Sequence, residues 1–245
     1  MRWMLFLMLM LPVVAVMAGG SKSTFEVDRF SSNAGEIKIT CIGHGTLMIQ
    51  FGEKVIHIDP VSEYVDYDSL PKADLILITH EHGDHLDVNA VQSLKKENTQ
   101  ILYTALCAKK LAGGQVLKNG ESKTTAGVPI LAVPAYNVIH KRQDGSPFHP
   151  KGNGNGYVLT LGDKKVYVAG DTELIPEMKN LPRIDIAFLP MNLPYTMTPE
   201  MVAEAARTIR PKILYPYHYG NTDVSRLQQL LAEDKNIEIR IRKLQ

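Results

Sequence analysis

The apolar run Leu75-Ile76-Leu77-Ile78 leads straight into Thr79-His80-Glu81-His82-Gly83-Asp84-His85, and no other feature restricts the fold so tightly. Three imidazoles and two carboxylates fall within six residues at the end of what reads as a buried strand. Imidazole suits Zn²⁺ or Fe, and Asp84 adds an oxygen donor. In an extended segment His80 and His82 point the same way, because side chains alternate with period two. Asp84 and His85, just past the strand, can turn toward a second position, so the spacing predicts two adjacent metal sites fed by one loop. The competing reading is a solvated loop that binds nothing, yet three of the chain's eight histidines sit here. A metal cage draws donors from several strand ends, so the fold must bring others to this one.

Candidates stand at the ends of other apolar runs. Val166-Tyr167-Val168-Ala169 enters Gly170-Asp171-Thr172, a glycine turn presenting a carboxylate, and Ile213–Tyr217 ends in His218. Taken alone, Asp171 reads equally well as a turn residue, and His218 as a core histidine among aromatics. His44, between Gly43 and Gly45, and Asp59, before Pro60, also occupy strand ends and are expected to orient ligand histidines from behind. His57, between Ile56 and Ile58, reads as structural.

The pattern His80-x-His82-x-Asp84-His85 resembles the metal-binding signature of the metallo-β-lactamase superfamily. The resemblance implies an α/β fold, a four-layer αββα sandwich of two mixed sheets, spanning residues 24–245. It implies that Asp171 bridges two metals and that His218 shares one of them with Asp84 and His85. The family's usual third histidine, which completes the His80/His82 metal, falls where this chain reads Val133-Pro134-Ala135-Tyr136-Asn137. An Asn137 carbonyl is a feeble Zn²⁺ ligand beside imidazole. Three arrangements stay open: His149 or His140 reaches back from the following loop, the site leans on Asn137 or water, or only the Asp84/His85/Asp171/His218 metal binds. His149, held by Pro150 beside Gly152-Asn153-Gly154, is the preferred donor.

The similarity is closest to small single-domain metal-dependent hydrolases, including those similar to ascorbate-6-phosphate lactonases. It implies hydrolysis of an ester, lactone or phosphodiester in a small molecule by metal-activated water. The expected cofactor is Zn²⁺, one ion or two, with Mn or Fe as alternatives. Asp84 is the expected proton carrier, and Tyr195 or Tyr219 the expected oxyanion donor. Lys141, Arg142 and Lys151 are cations able to hold an anionic group on the substrate. Two other classes compete: a metal- or ligand-binding protein of the same fold with lost catalysis, and a di-iron redox protein. No segment reads as the flavodoxin-like domain that flavo-diiron relatives carry.

Composition narrows the partners. A net charge of +1 without a basic stripe argues against nucleic acid. Residues 1–18 begin with Met1-Arg2, continue through an uncharged apolar stretch and end in small residues, the pattern of a secretory signal peptide. Residues 19–23 read as a short disordered segment. Cleavage predicts an exported protein, periplasmic or extracellular, without stable membrane insertion. Cys41 and Cys107 sit in apolar patterns and are expected as separate buried thiols. Strands are expected at Ile37–Ile42, Leu47–Phe51, Val55–Ile58, Asp74–Thr79, Ile101–Tyr103, Pro129–Val133, Tyr157–Leu161, Lys165–Val168, Asp185–Leu189, Lys212–Tyr217 and Ile237–Ile241. Helices are expected at Val88–Leu94, Ala105–Leu111, Thr198–Thr208 and Val224–Ala232.

Overall fold

The computed structural model describes Phe25 to Leu244, and the expected leader and the segment 19–23 lie outside these described residues. Fourteen strands form two mixed sheets of seven. The first holds β1 (Glu26–Ser32), β2 (Gly35–Gly43), β3 (Thr46–Phe51), β4 (Lys54–Ile58), β5 (Leu75–Leu77), β6 (Gln100–Tyr103) and β7 (Gln115–Val116) in sequence order. Strands β1 to β4 pair antiparallel, and β5 to β7 then add in parallel. The second sheet holds β8 (Ser122–Thr125), β9 (Val128–Ala135), β10 (Gly154–Leu161), β11 (Lys164–Val168), β12 (Ile186–Pro190), β13 (Ile213–Tyr217) and β14 (Glu238–Ile239). It repeats the plan of a four-strand antiparallel meander extended by three parallel strands.

Period-two alternation divides the core. Ile37, Ile39, Leu75 and Leu77 share one buried cluster with Ile130, Tyr157, Leu159 and Phe188 of the other sheet. Ile76 and Ile78 face the opposite way and pack with Ala90, Val91 and Leu94 of α1 (Val88–Leu94). Strand β5 is thus buried on both faces, which is why it reads as an unbroken apolar run. The Asp87 carboxylate caps α1 by accepting from the amides of Asn89 and Ala90, an interaction worth about 1 kcal/mol. Helix α2 (Pro199–Ile209) starts behind the Thr198 cap, as expected, and its Val202, Ala206 and Ile209 join the same buried cluster as the second sheet. Helix α3 (Val224–Leu230) is capped by Asp223. The layers therefore run helix, sheet, sheet, helix.

Several expected elements differ. Ala105–Leu111 is a single tight turn with 3₁₀ geometry at Cys107–Lys109, because the chain must return at once to pair β7 with β6. The last strand is only Glu238–Ile239, since Arg240 and Arg242 beyond it turn to the Asp28 carboxylate. Strands β7 and β8 were not expected; both are short, mostly exposed edges without apolar alternation. Cys41 and Cys107 are buried and unpaired. Among the described residues, no helix is long and apolar enough to cross a membrane.

Candidate metal centre

The ends of the parallel strands meet in a crevice between the sheets, the usual ligand position in open α/β sheets. Asp59 follows β4, the His80–His85 segment follows β5, Asp171 follows β11 and His218 follows β13. His44 comes from the β2–β3 turn, and Asn137 and His149 lie on the loop between β9 and β10. Three of these, His44, Asp59 and His218, have φ near +50° (49°, 46° and 47°). The left-handed kink ends each strand abruptly and costs a non-glycine residue roughly 1–2 kcal/mol.

Donor atoms converge in two groups, linked by a third made of His80, His85 and Asp171. His80, His82 and His149 offer nitrogens within 4.8 Å of one another, and so do the donors of His44, Asp84, His85 and His218. Asp171 lies between them. Its carboxylate is 3.2 Å from His149 Nε2, 3.4 Å from His85 Nε2, 3.4 Å from His218 Nε2 and 3.9 Å from His80 Nε2. Asp84 is 3.5 Å from both His44 and His218, and it is half-exposed, unlike the buried Asp171. Glycine makes the approach possible: a Cβ at Gly45 would lie 2.7 Å from His85 Cε1, and one at Gly170 would lie 2.6 Å from Asn155 O.

The ring tautomers are set from behind. Asp59 is fully buried, accepts the amide and hydroxyl of Thr79 at 2.7 and 2.6 Å, and accepts His85 Nδ1–H at 2.8 Å. Because the Thr79 hydroxyl donates to Asp59, its oxygen is left to accept from His80 Nδ1 at 3.0 Å. Both rings therefore turn Nε2 lone pairs into the crevice. Asn137 is not a donor to the centre, because its amide is fully engaged. Its Oδ1 accepts His149 N at 2.7 Å and His149 Nδ1 at 2.8 Å, while Nδ2 donates to Glu173 Oε1 at 3.1 Å and Tyr195 O at 2.9 Å. Of the arrangements left open by the sequence, the geometry brings His149 to the His80/His82 pair. His140 instead turns Nδ1 to Glu173.

Glu173 escaped sequence reasoning. It is completely buried and also accepts the amides of Val138, Ile139 and His140. Burial alone would raise its pKa, but these amides and the Asn137 side chain hold the carboxyl below its usual range. Its only sequence signal is its place two residues beyond Asp171 on the same turn.

The other expected residues divide by place. Lys151 is drawn away to Glu177 at 2.6 Å and the Tyr136 hydroxyl at 3.3 Å. Tyr219 donates its hydroxyl to Arg242 O at 2.7 Å, whereas Tyr195 lines the crevice. His57 is buried, bonded to Pro71 O and pushed down to about 4 by burial. Lys141 lies in an isolated bridge with Pro147 and does not line the crevice.

These residues fit a cation. Four buried atoms facing the crevice have no hydrogen-bond partner: His80 Nε2, His85 Nε2, His218 Nε2 and Asp171 Oδ1. An unmatched buried polar atom costs about 1–3 kcal/mol, so four together call for an occupant. Electrostatics agree. Burial would raise Asp171, yet the imidazoles of His218 and His85 hold it well below the carboxylate range. Burial would lower His85, yet Asp171 and Asp59 raise it to about 9, whereas burial keeps His80, His82 and His218 below the usual imidazole value. The carboxylates thus favour positive charge beside neutral imidazoles. Imidazole with carboxylate is a donor set for Zn²⁺, Fe or Mn.

Known proteins agree with this architecture. Residues 38–218 match the family described as the beta-lactamase superfamily domain. A UPF0173 metal-dependent hydrolase of Pelotomaculum thermopropionicum is 32% identical, over 75% of this chain and 85% of its own. A protein of that name from Thermococcus onnurineus is 34% identical over the same shares. A crystal structure from Parabacteroides distasonis has 52% identity and a TM-score of 0.86, covering 91% of this chain and all of that one. With its two mixed sheets and the donors gathered where their strands end, the chain belongs to the metallo-β-lactamase superfamily.

Proposed function

We propose that the protein is a metal-dependent hydrolase acting on an ester, lactone or phosphodiester bond of a small molecule, with Zn²⁺ as its ion. The observation that carries this reading is the set of buried, unpartnered donor atoms around Asp171. His80, His82 and His149 would hold one ion, His85, His218 and Asp84 a second, with Asp171 between them. A divalent ion there supplies Lewis acidity, lowering the pKa of water toward neutrality and drawing charge onto the substrate oxygen. The chain's own residues do the rest. Asp84, with one oxygen toward the donors and nearly half its surface open, takes a proton from the attacking water and passes it to the leaving group. Tyr195, on the crevice wall, offers its phenol to the developing oxyanion. Asp59 and Asn137 keep His85 and His149 in the donor tautomer. The names of the relatives support hydrolysis, and the apolar leader supports an exported enzyme.

Metal analysis, combined with a screen of chromogenic esters, lactones and phosphodiesters, tests the reading. Bound zinc with turnover abolished in His82→Ala is expected. Stoichiometric iron with a visible charge-transfer band would replace hydrolysis by redox chemistry, and metal without turnover would leave a binding protein.

A further inference from the structure

We propose that Arg142, set against Phe148 and Tyr195, forms an oxyanion-binding subsite beside the metal centre, so that the substrate carries a carboxylate or phosphate group near the bond that is cleaved. The inference rests on the hydrolase reading and narrows it to a substrate class.

The crevice over the donors is a cavity of about 450 Å³, within the size range of small-molecule sites. Donor residues, His44 among them, line it, and Phe148, Tyr195, Arg142 and Asn192 complete the lining. Arg142 is the only lysine or arginine among these residues. Its guanidinium lies 5.1 Å from the Phe148 ring centre, and Phe148 meets Tyr195 edge-on at 5.1 Å. Such stacking fixes the plane of a guanidinium. Arg142 Nη2 also donates to Phe148 O at 3.4 Å, and the remaining N–H groups are left to bind.

The backbone beneath is equally fixed. Arg142 N donates to Ser146 O at 2.7 Å, Gly145 N donates to Arg142 O at 3.0 Å, and Lys141 bridges Pro147, which makes a tight hairpin. The acid in that hairpin, Asp144, turns Oδ1 to the amide and hydroxyl of Ser146 and makes no ion pair with Arg142. Arg29, Arg207, Arg226, Arg240 and Arg242 each hold a carboxylate within 4.0 Å, whereas Arg142, like Arg183 and Arg210, which do not line the crevice, has none among the described residues. A planar guanidinium without a carboxylate partner, held on an aromatic wall, is matched by an oxyanion, which its remaining N–H groups can grip through two parallel bonds. The apolar part of such a molecule would lie on Phe148 and Tyr195. Phe148 immediately precedes His149, so an oxyanion on Arg142 lies close to the reacting bond.

The test uses three thiol ligands of equal length, in which the thiol seeks the metal and the far end bears a carboxylate, a phosphonate or a neutral carboxamide. Affinities are measured by calorimetry on zinc-loaded full-length protein and on its Arg142→Gln variant, with metal content determined for both. We expect the carboxylate or the phosphonate to bind about ten-fold or more tightly than the carboxamide, the value of one charge-assisted contact. Which of the two anions is preferred identifies the oxyanion. Arg142→Gln should erase the preference while metal content and carboxamide affinity stay the same. Equal binding of all three by the unaltered protein, or a preference that survives Arg142→Gln, overturns the subsite. An intact preference without turnover of any ester, lactone or phosphodiester would overturn the hydrolase reading and leave the subsite standing.

Discussion

The two sides of the metal centre share Asp171 but are built differently. On one side His85, a proposed ligand past a strand end, has a buried carboxylate, Asp59, directly behind it at 2.8 Å. On the other side His149 arrives from a long loop and is held by a neutral amide, Asn137, also at 2.8 Å. The charge on that second side sits one step further back, on Glu173. A carboxylate behind an imidazole makes the ring a stronger donor than an amide does. The first side should therefore bind its ion more tightly, and the second should depend on whether its loop is held in place.

The comparison can be broken most completely at the shared residue. Asp171→Asn should remove tight binding on both sides, with losses exceeding the roughly 10–100-fold typical of a supporting residue. Metal analysis after dialysis would reveal it, and retention of a full metal complement would show that the sides do not share this ligand. Next in size is Asp59→Asn, which swaps a charge-assisted support for a neutral one and should weaken the His85 side by close to 100-fold. Stepwise zinc titration should show the tighter step moving and the weaker one staying. Asn137→Ala should cost the His149 side nearer 10-fold, and Glu173→Gln should shift the same step in the same direction. If both steps moved together in either variant, the two sides would not be independent.

The smallest effect serves as a control. Asp28 ties β1 to the C-terminal segment through Arg240 and Arg242 at 3.0 and 2.7 Å. Burial pushes its pKa up, but the Arg242 hydrogen bonds and both guanidinium charges bring it below the usual value. A depressed carboxylate contributes stability that is present above its unfolded pKa of about 3.9 and lost as pH falls through the folded value. Asp28→Asn should thus lower the melting temperature at neutral pH by about 2–4 °C. The gap to the unaltered protein should close in acid below that range, and both zinc steps should stay unchanged. A zinc step that moved would mean that the larger losses above report stability rather than ligand geometry.

The same contrast explains what the sequence could reveal. The His85 side was legible because each of its parts ends an apolar run, and strand ends can be read by eye. The crevice-facing pair His80 and His82 followed from period two alone. The support of His149 was not legible, since Asn137 and Glu173 lie 36 residues apart in sequence and meet only when β9 and β11 come together around β10. Asn137 seemed a poor replacement for a missing histidine, yet it supports one supplied from elsewhere. Lys151 looked free to meet a substrate until folding brought Glu177 to it. In β8 the residues Ser122-Lys123-Thr124-Thr125 carry no apolar alternation, because an edge strand need not bury one face.

The left-handed kinks at His44, Asp59 and His218 bear on how such a chain could change over generations. Glycine would adopt those backbone angles without strain, so the backbone at each corner would relax if the side chain were lost. Relief of backbone strain alone would push these positions toward glycine and empty the crevice of chemistry. A requirement for the proposed ion, together with the hydrogen bonds that Asp59 accepts from Thr79, opposes that drift and holds the backbone at these three corners against its own preference.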